Sequence, residues 1–139
     1  MAVIFVARSP SLGKWASDVG LSKHVYKVGC AEEPLKPLIE KGWAGETDWV
    51  LVKKEEIGGQ GIEGPDEAAI VARLAVKEKM IDPNLYPRIK GTIGIFKVPP
   101  AHVENHILVS RALSGAPELG DLKLKPIDFA AYLIHNATR

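Results

Sequence analysis

Five consecutive apolar residues, Val3-Ile4-Phe5-Val6-Ala7, make up the first patterned segment of the chain. The run is short, unbroken and rich in β-branched side chains, which predicts a buried strand. Residues 8–22 mix Ser, Pro, Gly and Asp with one tryptophan and read as a loop holding at most a short turn of helix. Polar and apolar positions then alternate over residues 23–28, which predicts a second strand closed by Gly29 and hence a hairpin-like opening pair. In residues 32–41, Leu35, Leu38 and Ile39 recur at helical spacing, Glu32 and Glu33 sit where the helix dipole favours anions, and Gly42 can cap the end. Pro37 moves the expected start toward Pro34, because a proline beyond the first turn removes a backbone bond.

Residues 48–53 (Asp-Trp-Val-Leu-Val-Lys) predict a third strand. After a glycine-rich connector over residues 58–64, Pro65, Asp66 and Glu67 carry the signature of a helix start. That helix is expected to run to about Lys79, with Ile70, Val71, Leu74 and Ala75 inward, and Asp82-Pro83-Asn84 breaks it. Residues 92–98 predict a fourth strand. A helix over residues 100–113 turns Val103, Ile107, Leu108 and, at its end, Leu113 inward, and a last helix opens at Pro126 with Ile127, Ala130, Ala131 and Ile134 on its inner stripe. The order β, β, α, β, α, β, α, α predicts an α+β fold: a small mixed or antiparallel sheet of three to four strands packed against helices, not a doubly wound sheet.

The 139 residues fit one domain, with the sheet-containing core over about 1–98 and a helical part over about 100–139. A chain of this size buries about two thirds of its unfolded surface, so no metal or disulfide staple is required. A net charge of +1 argues against a protein that grips duplex DNA by counterion release. Cys30 is the lone cysteine, which excludes an intramolecular disulfide and suits a reducing compartment. The apolar run over residues 2–7 is too short for a secretory signal or a membrane helix, so a cytoplasmic protein without membrane attachment is expected.

Several local patterns invite chemistry. The glycine-rich segment before a helix lacks the Gly-Lys-Ser/Thr of a phosphate-binding loop, and Asp66 and Glu67 would repel an anion there, so it reads as a connector. His102 and His106 stand four apart on a predicted helix and can serve as two metal ligands on one face. No third ligand is evident, and a polar helix face is the favoured reading. Cys30 reads as a buried structural thiol. The loop Leu85-Tyr86-Pro87-Arg88-Ile89-Lys90-Gly91 joins an aromatic ring to two cations, a composition able to hold a phosphate backbone or stack on a base, although a surface connector whose tyrosine packs on the core is the favoured reading.

The apolar first strand, the segment Tyr26-Lys27-Val28-Gly29, a short helix, a strand ending near Val52 and a helix with an early acidic residue together resemble the GIY-YIG nuclease superfamily over residues 3–98. That resemblance implies a Mg²⁺-dependent phosphodiesterase site in which Tyr26 matches the second-strand tyrosine, Gly29 its turn, and Glu67 the metal-binding glutamate, with Glu63 as a substitute. Two family positions depart: Ile4-Phe5-Val6 replaces Gly-Ile-Tyr, and residues 32–41 hold no arginine, Lys36 being a poor replacement for a guanidinium fork. A hydrolytic site without its phosphate clamp loses most of its electrostatic stabilisation.

Three readings follow. The first is a non-catalytic binding or accessory module, with a nucleic acid as partner, using a groove around Tyr26, Lys27, Trp15, Tyr86, Arg88 and Lys90. The second is a weak Mg²⁺-dependent DNA endonuclease centred on Tyr26 and Glu67. The third is an oligomerising domain with Phe129, Tyr132 and Leu133 as exposed anchors on its last helix.

Overall fold

A computed structural model describes residues 2–21, 24–32, 34–43, 45–56, 67–86, 89, 92–115 and 124–138. Among the described residues five strands and five helices follow in the order β1 (Ala2–Arg8), α1 (Pro10–Asp18), β2 (Val25–Glu32), α2 (Lys36–Lys41), β3 (Val50–Glu56), α3 (Glu67–Ala75), β4 (Lys79–Met80), β5 (Ile95–Lys97), α4 (Pro100–Ser114) and α5 (Pro126–Thr138). The strands form one sheet in the order β3-β1-β2-β5-β4, and every neighbouring pair is antiparallel. The fold is therefore α+β, as the pattern predicts, with one strand more than expected.

Period-2 alternation sorts the sheet's side chains onto two covered faces. Ile4, Val6, Tyr26, Val28, Phe96 and Val98 point to one face, where they meet Val71 and Leu74 of α3, Val103 of α4 and the apolar stripe of α5. Val3, Phe5, Ala7, Val25 and Ile95 point to the other, under Leu12 and Ala16 of α1, Leu35 beside α2, and Trp49. Helices on both sides explain why β1 is an unbroken apolar run and not an alternating one. The edge strand β3 instead ends Lys53-Lys54-Glu55-Glu56, and charge along an exposed edge discourages pairing with another chain.

Several boundaries differ from the sequence-based expectation, each for a local reason. The opening strands are not a hairpin: α1 separates them. Ser9 is its N-cap, its hydroxyl accepting from the Leu12 amide at 3.1 Å, and Pro10 supplies the preset first-turn backbone. Asp48, expected in β3, stands before it and clamps this same end, accepting from the Ser9 hydroxyl and, at 2.9 Å, from the Ser11 amide. Glu32 belongs to β2, and α2 begins only at Lys36, so Pro37 falls in the first turn where it is tolerated. α3 stops at Ala75, and the expected C-terminal lysines are replaced by a turn and by β4, which pairs with β5 through Lys79 and Met80.

Gly94 has φ +85°, and a Cβ there would stand 2.6 Å from the Val28 carbonyl oxygen. Only glycine lets this backbone approach β2 closely enough for the Val28 amide to donate to the Gly94 carbonyl at 2.8 Å. The last helix also corrects an expectation. Its buried positions are Phe129, Ala130, Tyr132, Leu133, Ile134 and Ala137, whereas Ile127 is 44 % exposed. Phe129, Tyr132 and Leu133 are therefore core residues facing the sheet and its neighbouring helices, not surface anchors for a second chain.

Candidate functional site

The hydroxyl-bearing ring of Tyr26 leads to a cavity of about 500 Å³ at the end of the sheet where β1 finishes and β2 begins. Its walls come from Arg8 and Ser9 after β1, from Pro10, Gly13, Lys14, Ser17 and Asp18 along one side of α1, from His24, Val25 and Tyr26, and from Leu124, Pro126 and Phe129 at the start of α5. Residues 10, 13, 14, 17 and 18 share a helix face because they recur at three- and four-residue intervals. Asp48 fixes the N-terminal end of that helix, and the rest of the wall is held by an aromatic stack. The Phe129 ring lies 4.6 Å from His24 at 10° and 5.4 Å from Tyr26 at 22°.

Burial pushes the Tyr26 hydroxyl from 10.0 up to about 12, with the Arg8 guanidinium acting in the opposite direction. At neutral pH Tyr26 is therefore a neutral hydrogen-bond donor and not a phenolate base. Desolvation raises the Asp48 carboxyl, but hydrogen bonds from Ser9 and Ser11 outweigh it and hold the group below its ordinary range, so Asp48 stays charged against the helix end. The side chains of Arg8, Lys14 and Asp18 make no hydrogen bond or ion pair among the described residues, Arg8 acting on Tyr26 only through its charge. The cavity thus presents two unpaired cations, one carboxylate and a phenol donor against an aromatic wall.

The residues singled out from sequence are distributed unevenly around this cavity. Tyr26 lines it. Lys27, next in the chain, points to the opposite sheet face: it is 3 % exposed, donates to the Ile93 carbonyl at 2.8 Å and the Val28 carbonyl at 3.2 Å, and lies 5.8 Å from the centre of the Trp43 ring. Period-2 geometry makes that outcome unavoidable once Tyr26 faces the α5 side. Trp15 and Tyr86 also belong to the second face, packed edge-to-face at 5.8 Å. Arg88, Lys90 and Glu63 lie outside the described residues, as does the side chain of Glu67, whose backbone opens α3.

His102 and His106 do not converge on a metal. His102 Nδ1 lies 2.8 Å from Glu78 Oε1, and His106 packs against Tyr132 and His135 with ring centres 5.4 and 4.8 Å away. Among the described residues no three His, Cys, Asp or Glu side chains are grouped to hold an ion. Glu78 is the hub of this region. Its side chain is 1 % exposed and it also accepts from the Tyr132 hydroxyl, which burial, together with that bond and the carboxylate's charge, pushes far above its ordinary range. One buried carboxylate in this way ties the segment after α3 to both C-terminal helices.

Arg8, Lys14, Asp18 and His24 were not singled out from the sequence. The signal for Lys14 and Asp18 is Ser9-Pro10, an N-cap followed by a first-turn proline, which starts a helix and sets residues 10–18 on a helical repeat, while Arg8 ends the apolar run of β1. Nothing local marks His24, whose place follows from its stack on Phe129, more than a hundred residues away in sequence. Comparison with protein-family models, with curated proteins and with solved structures finds no match.

Proposed function

We propose that this protein is a binding module whose cavity between α1, β2 and α5 holds a phosphate group of a nucleic-acid strand. The observation that carries the reading is the pair of unpartnered cations, Arg8 and Lys14, lining one cavity with the neutral Tyr26 donor. Guanidinium and ammonium groups without internal partners lose nothing internal when they bind a phosphate, and a protonated phenol adds a third donor. The resemblance of residues 3–98 to GIY-YIG domains supports a nucleic acid as the source of that phosphate. The reading keeps a cytoplasmic location, supported by the single cysteine; among the described residues no helix is long and apolar enough to cross a membrane.

One observation favours the endonuclease as a second reading: Arg8, at the end of β1, lines the same cavity as Tyr26 and its charge acts on that hydroxyl, a place from which it supplies the guanidinium that α2 lacks. The described cavity does not suit Mg²⁺, which takes about six oxygen ligands, because its lining offers one carboxylate, Asp18, beside two cations.

The test joins both readings. Fluorescence anisotropy with a short labelled single strand should give saturable binding that Arg8→Gln weakens by about tenfold or more, the usual effect of removing a charge-assisted hydrogen bond. Supercoiled plasmid incubated with Mg²⁺ or Mn²⁺ should remain intact. Nicking lost in both Tyr26→Phe and Glu67→Ala would establish the nuclease instead. A well-folded protein that neither binds strands nor nicks plasmid would overturn both.

A further inference from the structure

We infer that the cavity selects the end of a strand, binding one terminal nucleotide through a phosphomonoester and not an internal phosphodiester; this rests on the phosphate-binding reading above. Charge is the first argument. Arg8 and Lys14 present two positive charges in one cavity. Asp18 offsets one of these charges, but an internal phosphodiester offers only two terminal oxygens, whereas a terminal phosphomonoester offers three and approaches two negative charges near neutral pH, giving each cation an oxygen acceptor of its own.

Size and polarity point the same way. A volume of about 500 Å³ falls within the range of small-ligand sites and has room for one nucleotide unit, not a helical segment. Asp18 shares the cavity with the two cations, at the last position of α1. A carboxylate there repels a second phosphate, so a polyanionic backbone running through the site is disfavoured. The same carboxylate accepts hydrogen bonds from a sugar hydroxyl or a base amino group, which the terminal nucleotide supplies. The net charge of +1 leaves little counterion release to add. With two phosphate-facing cations the expected salt slope is roughly −1.4 on a single strand, far below that of proteins that track a backbone.

The experiment measures anisotropy competition with one oligonucleotide prepared in three forms: 5′-phosphorylated, 3′-phosphorylated, and hydroxyl at both ends. A mononucleotide and inorganic phosphate are run as further competitors. One phosphorylated form should bind about tenfold or more tightly than the hydroxyl form, and which form does so identifies the end recognised. The mononucleotide should compete better than inorganic phosphate. Lys14→Gln should erase the advantage of the phosphorylated end, and Asp18→Asn should tighten binding of the hydroxyl-ended strand. Both substitutions lie on α1 positions exposed to solvent, and thermal melts of the variants verify their folding. Equal binding of all three forms would overturn end selection while leaving strand binding intact. Inorganic phosphate competing as well as the mononucleotide would overturn recognition of the nucleotide. Absence of binding by every form would overturn the underlying reading as well.

Discussion

Replacing Tyr132 by phenylalanine removes one oxygen and leaves the ring in place. The ring packs in the core beside His106, so no cavity follows. Two groups are affected: Glu78, whose side chain is 1 % exposed, loses the hydroxyl donor and keeps His102 Nδ1 at 2.8 Å, and the buried Asn136 loses its interaction with the same hydroxyl. A buried charged acceptor deprived of one donor costs about 1.5–3 kcal/mol. For a domain of this size each kcal/mol moves the melting temperature by about 3–5 °C, so Tyr132→Phe should lower it by about 5–15 °C. Equilibrium urea unfolding with linear extrapolation supplies the free energy, and calorimetry supplies the melting point. A double-mutant cycle with Glu78→Gln isolates the pair: in the Gln background, where the bond is neutral to neutral, removing the hydroxyl should cost about 1 kcal/mol less. A Tyr132→Phe protein within about 0.5 kcal/mol of the parent, the range of an ordinary surface substitution, would refute the assignment of Glu78 as a buried hub. Equal costs in both backgrounds would do the same.

Gly94→Ala should destabilise by about 2–4 kcal/mol, because the position has φ +85° and the new methyl would meet the Val28 carbonyl oxygen at 2.6 Å and Lys27 Nζ at 3.0 Å; a change under 1 kcal/mol in urea unfolding would contradict the close β2–β5 approach. Stability should also fall in alkali. The native state keeps the Tyr26 proton to about 12 while the unfolded chain releases it near 10.0, so stability is full below pH 10.0, declines as pH rises through that window, and loses about 3 kcal/mol from this group. Tyr26→Phe should flatten that part of the profile, and an unchanged decline would show that Tyr26 is not held protonated by burial.

Much of the architecture was legible along the chain because it depends on short-range pattern. The continuous apolar run of β1, the alternation in β2, the first-turn prolines of α4 and α5 and the inward Val71, Leu74 and Val103 are local features that survive tertiary packing, whereas Ala75, Leu108 and Leu113, expected inward, are exposed. The failures share a different cause. β4 has two residues and no pattern of its own, existing only because Lys79 and Met80 meet β5. α1 was obscured by the polar, proline- and glycine-containing composition of residues 8–22, although Ser9 and Pro10 mark its start. In α5 the helical repeat places Ala130 and Ile134 inward as observed, whereas Ile127 and Ala131 are exposed and Phe129, Tyr132 and Leu133 complete the buried stripe, since which stripe is buried depends on the angle at which a helix meets the sheet and not on its own sequence alone.

The candidate site divides along the same line. Tyr26 was identified because it lies on a patterned strand, and its neighbour Lys27 was grouped with it because the two are adjacent in sequence. A strand turns adjacent side chains to opposite faces, so one reaches the cavity and the other is capped by the carbonyls of Ile93 and Val28. Alternation, helical repeats, turn residues and capping signals, all set within a few positions, determined the sequence of elements and the α+β class. The order of strands, the two-sided covering of the sheet, the buried Glu78 hub and the meeting of Arg8, Lys14, Asp18, His24 and Tyr26 with Phe129 are products of tertiary structure alone. They join residues far apart in sequence, and which of those pairs meet is settled by packing free energy summed over the whole domain, not by any segment's own preference.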